Sequence, residues 1–84
     1  MTRFWPDGLA IEVDAANGAP PGHFIWEGRR HQVTYIARRW RVDVGWWRNR
    51  IWRAYYKLST DTGLLIILFQ DLTTGDWYLQ RLYD

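Results

Sequence analysis

Six consecutive apolar residues, 64–69 (Leu-Leu-Ile-Ile-Leu-Phe), restrict the fold of this chain more than any other feature. Turn-forming sequences bound the run: Asp-Thr-Gly at 61–63 and Thr-Thr-Gly-Asp at 73–76. Six residues is a usual strand length, and a strand without a polar side must be covered on both faces. We therefore expect residues 63–70 to form a strand that is covered on both faces. The cover comes either from this chain alone or from a partner on the outer face.

Short segments in which apolar and polar residues alternate recur along the rest of the chain, with turn residues between them. This spacing predicts an antiparallel meander with little or no helix. Residues 15–22 are predicted to be a loop and residues 45–50 a connection. In segment 52–58, Ala54, Tyr56 and Leu58 take one face, while Arg53, Tyr55 and Lys57 take a solvent-facing one. The predicted strands are 9–14, a segment with Phe24 and Trp26 on one face, 31–36 with a continuation over 38–44 after a bend, 52–58, 63–70 and 77–83.

A flat sheet of six short strands cannot cover both faces of its apolar member, but a sheet that curls on itself can. The predicted fold class is therefore all-β: a six-stranded antiparallel meander curled into a small barrel or half-barrel, of the size of an SH3-like or OB module. The alternative is an open sheet completed by a second subunit in a homodimer. Because 84 residues are too few for two cores, residues 1–84 are expected to form a single domain.

Aromatic side chains are expected to stabilise this small domain. The chain has no cysteine for disulfides, and its two histidines with no thiols predict neither a metal site nor a cofactor. Seven Trp, five Tyr and three Phe can each bury about 150–250 Å² instead. The lack of cysteine, of a signal-peptide-like start and of a membrane-length apolar run predicts a cytoplasmic protein that does not enter a membrane.

Basic residues are concentrated in the middle of the chain. Residues 28–58 contain nine basic residues and one acidic residue, whereas residues 1–27 and 59–84 each contain one arginine and four acidic residues. Arginines interleaved with aromatic rings are typical of surfaces that bind single-stranded nucleic acid, because arginines neutralise phosphates and exposed rings stack on unpaired bases. The candidate binding residues are Arg38, Arg39, Arg41, Trp46, Trp47, Arg48, Arg50, Arg53 and Tyr55.

Core packing competes with binding as the role of these rings. A domain of this size must bury most of its tryptophans, so Trp40, Trp52 and Tyr56 are expected in the core. Trp46 and Trp47 are adjacent, and neighbouring residues of an extended segment point to opposite faces. At least one of these two rings is therefore a candidate for the surface.

Catalytic residues are scarce. Ser59 is the only serine, and neither histidine has a carboxylate at a spacing that suggests a triad. His31 is expected on the surface of a hairpin, and Asp61 and Asp76 occupy turn positions that favour aspartate. The sequence thus predicts a protein that is not an enzyme.

The C-terminal half resembles the tail of ImuB, the catalytically dead polymerase-like protein of bacterial mutasomes. The resemblance covers about residues 45–79 and includes Gly-Trp-Trp at 45–47, Arg-Ala-Tyr-Tyr at 53–56, Gly63, and Gly-Asp-Trp-Tyr-Leu at 75–79. The whole chain also resembles a family of small stand-alone bacterial proteins, in its Phe-Trp-Pro-Asp-Gly at 4–8 and its Leu-Tyr-Asp at 82–84.

This resemblance implies a non-catalytic interaction module that is accessory to DNA-damage or translesion-synthesis assemblies, with protein partners from such a complex. It implies no active site. The 84 residues contain no recognisable clamp-binding peptide, so recruitment to a replication clamp is not implied. The alternative function is direct binding of single-stranded DNA or RNA through the arginine- and tryptophan-rich face.

Overall fold

The computed structural model describes residues 2–16, 18–45 and 50–83, which form six antiparallel strands and no helix. Each strand pairs with the next along the chain, and the last pairs with the first, so the sheet closes into a ring. The predicted all-β meander is therefore confirmed. The strands are β1 (Arg3–Asp14), β2 (His23–Trp26), β3 (Arg29–Gly45), β4 (Arg50–Thr60), β5 (Leu65–Asp71) and β6 (Trp77–Tyr83).

The interior of the ring is filled by alternate residues from every strand. Phe24, Leu58 and Leu68 are at most 1% exposed, and Tyr56 lies in the same cluster, as the sequence predicts. Trp26 from β2 and both Ile11 and Val13 from β1 pack against this cluster. Because successive strand residues face opposite sides, the residues between these form the outer face of the ring.

A second, smaller cluster lies on the outer face, which explains the apolar run of β5. Ile66 and Leu68 belong to the interior, whereas Ile67 and Phe69 pack with Tyr55 outside the ring. Phe69 is fully buried there. The prediction that this strand is covered on both faces is confirmed, and its own chain supplies the cover.

Strand β1 is longer than the alternation of its residues predicts, because it passes through Pro6 and Gly8. A register shift between Phe4 and Leu9 accommodates these two residues in the pairing with β6. Gly8 has φ = 82°, a conformation that glycine adopts without steric cost. This bulge brings the backbone of β1 against Phe69 and Tyr78.

A two-residue turn, Glu27-Gly28, joins β2 to β3, and both residues have positive φ. Such turns match the twist of a β-hairpin. The expectation that His31 lies on the hairpin surface is wrong: it is 5% exposed and stacks on Phe24 inside the ring. Its Nδ1 lies 2.6 Å from the Thr62 hydroxyl, which provides the hydrogen bond that a buried imidazole needs.

Strand β3 continues past the predicted bend as one strand. Register shifts against β4 at 33–35 and 36–38 mark the bend. Beyond it, β3 and β4 pair without interruption to the end of the described hairpin. None of the described segments is a helix with the length and apolarity needed to cross a membrane.

Candidate interaction surface

The candidate binding residues lie on a strand pair that we call the arm, made of residues 38–45 of β3 and 50–57 of β4, of which only residues 50–52 of β4 extend beyond the pairing with β5. Strand β2 pairs with β3 only at residues 29–32, and β5 pairs with β4 only at residues 53–59, so the arm extends past both neighbours. Six of the nine predicted residues lie on the described part of the arm. The other three, Trp46, Trp47 and Arg48, lie outside the described residues, as does most of the predicted connection.

The two faces of the arm divide the predicted arginines between them. Arg38 and Arg53 lie on the outer face with Tyr55, because they share the alternation of the outer cluster. Arg39 and Arg41 pair with Tyr56 and Ala54, residues of the interior cluster, and so lie on the inner face. Arg50 also lies on the inner face, which it shares with Trp52. The structure therefore separates the predicted arginines into two sets, one on each face of the arm.

An aromatic row runs across the outer face, with one ring from each of four neighbouring strands: Trp40, Tyr55, Phe69 and Tyr78. The pairing register places these four residues directly opposite one another. Successive ring centroids are 5.2, 5.2 and 5.0 Å apart. That spacing is close to the ~4.8 Å between strands, so each ring lies against the next.

Because each ring covers its neighbours, the middle of the aromatic row has little free surface. Tyr55 is 7% exposed and Phe69 is fully buried, while Trp40 and Tyr78 at the ends are half-buried. The prediction that Tyr55 faces solvent is wrong, since its ring lies between Trp40 and Phe69. The sequence correctly places Arg53, Tyr55 and Lys57 on one face, but that face is packed at its centre.

Cations cover the rings of the outer face. The Arg53 guanidinium lies 4.4 Å from the centroid of Phe69, and its Nη1 donates a hydrogen bond to the Tyr55 hydroxyl at 3.2 Å. Arg38 lies 5.1 Å from the Trp40 ring, and Lys57 lies 5.0 Å from the ring of Tyr83. Such cation–π contacts contribute about 0.5–1 kcal/mol each at exposed sites. These cations therefore stabilise the packing of the rings as well as giving the outer face its positive charge.

On the inner face, Arg50 is paired and two other arginines are open. Arg50 donates two hydrogen bonds of 3.2 Å to the carboxylate of Asp43 and lies 4.5 Å from the ring centroid of Trp52. Arg39 and Arg41 are exposed, and neither is within 4.0 Å of a carboxylate of residues 2–16, 18–45 or 50–83. Both line a groove of about 440 Å³ that also touches Tyr56 and, from the loop after β1, Gly18.

Exposed apolar side chains mark the far end of the outer face. Val44 and Ile51 are paired directly across the arm and are 54% and 43% exposed. Val42 continues this stripe to Trp40, the first ring of the aromatic row. Sequence reasoning did not single out these aliphatic residues, although the alternation Trp40, Val42, Val44 indicates an apolar side of the strand. Together they form the apolar stripe of the arm.

No three His, Asp or Glu side chains of the described residues are grouped as metal ligands would be. Comparison of the chain with protein-family models, with curated proteins and with solved structures finds no match.

Proposed function

We propose that this chain is a non-catalytic protein-interaction module that binds its partner through the arm. The observation that carries the proposal is the Val44–Ile51 pair, two large aliphatic side chains left open to water at the end of a strand pair. A small domain needs its apolar side chains inside, so an exposed stripe with a charged rim is typical of a protein-contact surface.

The charged rim supports the same function. Arg38 and Arg53 flank the apolar stripe on the outer face, and arginine is enriched in protein interfaces because its planar group both stacks and donates several hydrogen bonds. Asp43 and Arg50 hold each other on the opposite face. The arm thus presents an apolar centre bordered by cations.

The packing of the aromatic row favours a protein over single-stranded nucleic acid. Bases bind to free ring faces, which contribute about 1–3 kcal/mol for each stacked base. In this row the faces of Tyr55 and Phe69 are already covered by other rings and by Arg53. Within this row, only the end rings, Trp40 and Tyr78, have exposed surface on which a base could stack.

The resemblance to the ImuB tail supports a role for this module in a DNA-damage or translesion-synthesis assembly. The partner is then a protein of such an assembly.

Direct binding of single-stranded DNA or RNA is the second candidate function. Its support is the exposed pair Arg39 and Arg41, which lacks a carboxylate partner among the described residues. Affinity for an oligonucleotide would then fall by orders of magnitude between about 50 and 200 mM salt, provided that six or more phosphates are engaged. A titration that shows no binding at 50 mM salt excludes this candidate.

A matched pair of variants tests the main proposal. Ile51→Ser removes half of the exposed pair, and Ile25→Ser changes an isoleucine of similar exposure on β2, 37% against 43%. Affinity purification of each variant from DNA-damaged cells should recover polymerase, recombinase or other repair proteins with Ile25→Ser and the unaltered chain, and much less with Ile51→Ser. Equal recovery by both variants contradicts binding through the arm. Recovery of proteins unrelated to DNA repair contradicts the assignment to that process.

A further inference from the structure

Strand β3 has an open edge along the arm. On the side away from β4, strand β2 pairs with β3 only as far as Gln32, and Val33 bonds to Gly22. No described strand or loop backbone pairs with residues 34–45 on that side. An unpaired strand edge presents a row of free backbone donors and acceptors.

The pairing pattern shows which residues of β3 present these groups. The Trp52 carbonyl bonds to Leu72 and the Thr60 N–H bonds to Leu64, so even-numbered residues of β4 direct their backbone groups toward β5. Odd-numbered residues of β4 therefore bond to β3. Their partners are Arg38, Trp40, Val42 and Val44, which leaves the backbone groups of the alternate residues, Arg39, Arg41 and Asp43, directed to the open edge.

We propose that this open edge binds an acidic, extended segment of a partner protein, which adds to the sheet as a further strand next to β3. The proposal rests on the proposed function, since the arm must bind a protein. It adds how the partner binds: main-chain hydrogen bonds hold the partner segment, and its alternate side chains determine which segment is preferred.

Charge selects an acidic segment as the occupant. Arg38, Arg39 and Arg41 lie within four positions of one another along β3, and the carboxylate of Asp43, the only acidic residue in 28–58, is held by Arg50. A second copy of this chain would bring the same surplus of positive charge to the contact. Like charges across a strand pair are unfavourable, whereas opposite charges contribute about 0.2–1 kcal/mol for each pair.

The two faces of the added strand meet different surroundings. Residues opposite Arg39 and Arg41 would lie on the inner face, next to the groove of about 440 Å³ that both arginines line. Residues between them would lie on the outer face, beside Trp40 and Val42 of the apolar stripe. The preferred segment therefore alternates acidic and apolar residues.

An eight-residue peptide of alternating Glu and Val, carrying a fluorescent label, is the probe. Its control has the same composition with four Glu followed by four Val. Fluorescence anisotropy should show that the alternating peptide binds at least tenfold more tightly. Equal affinity for the two peptides would mean that charge alone acts, and would overturn strand addition.

Two variants at one position separate the backbone from the side chain. Arg41→Ala removes the guanidinium and keeps the N–H, while Arg41→Pro removes both and leaves the β3–β4 hydrogen bonds intact. One hydrogen bond contributes about 0.5–1.5 kcal/mol, so Arg41→Pro should bind the alternating peptide two- to tenfold or more weakly than Arg41→Ala does. Equal affinities of the two variants would contradict the proposal.

Amide hydrogen exchange of the unaltered protein gives the same answer without a variant, in case Arg41→Pro does not fold. The alternating peptide should slow exchange at Arg39 and Arg41 at least tenfold and leave Arg38 and Trp40 unchanged. If the peptide does not slow exchange at Arg39 and Arg41, the proposal is overturned. It is also overturned if exchange at these residues slows without peptide as the protein dimerises, because a second copy then covers the edge. If these tests fail while Ile51→Ser still loses its partner, strand addition is wrong and the interaction module stands.

Discussion

The Gly8→Ala substitution tests how closely β1 packs against the outer aromatic cluster, through its effect on the free energy of unfolding. A Cβ at this position would lie 2.6 Å from the Cβ of Tyr78 and 2.8 Å from Cζ of Phe69. Ordinary contacts between such atoms begin near 3.4 Å. The Tyr78 atom is fixed to its backbone, so β1 and β6 must separate to admit the methyl group.

Two costs add for this substitution. An alanine with φ near 82° costs about 1–2 kcal/mol, and forcing a methyl group into a packed site costs about 1–3 kcal/mol more. The free energy of unfolding should therefore fall by about 2–5 kcal/mol. For a domain of this size, each 1 kcal/mol lowers the melting temperature by about 4–8 °C.

Gly63→Ala is the matched control, because Gly63 has φ = 87° and a Cβ there would meet no atom within 4 Å. It carries the backbone cost without the clash. Urea unfolding followed by tryptophan fluorescence measures both variants. Equal losses of stability, within about 0.5 kcal/mol, would mean that β1 does not lie against the aromatic row and would refute the account of the outer cluster.

Three further substitutions test other parts of the fold by the same unfolding assay. Phe69→Ala should cost about 3–5 kcal/mol, as much as Leu68→Ala in the ring interior, because both side chains are fully buried; a loss below 1 kcal/mol would show that the outer cluster is not a core. Thr62→Val should cost about 1–3 kcal/mol by leaving His31 Nδ1 without its hydrogen bond, whereas Thr73→Val, at an exposed turn, should change stability by less than about 0.5 kcal/mol. Glu27→Asn should stabilise the protein by about 0.5–1 kcal/mol, since asparagine tolerates φ = 52° and Asn-Gly favours this turn, while Glu27→Gln should not; equal stability of these two variants would contradict the turn assignment.

The order and direction of the strands could be predicted because they depend on local patterns. The apolar run 64–69 and the alternation at 52–58 both identify strands and their faces. The first half of β1 could not be predicted, because Pro6 and Gly8 interrupt the alternation and a bulge absorbs them. Sequence periodicity does not show where a bulge will form.

The aromatic row could not be predicted for a different reason. Its four rings lie on four strands, and their alignment depends on turn lengths and on the register shifts of β3. Tyr55 therefore looks exposed in the sequence and is buried in the fold. The cationic middle of the chain was visible in the sequence, but its division between two faces follows from the same pairing.

The most direct test of the open arm is residue-by-residue amide hydrogen exchange along β3 of the free protein, measured by NMR. Exchange should be slow at Arg38, Trp40 and Val42, whose N–H groups bond to β4, and fast at Arg39, Arg41 and Asp43, which leaves a period of two along the strand. Uniformly slow exchange across these six residues would show that the edge is already covered, and would contradict the arm as a free surface for a partner.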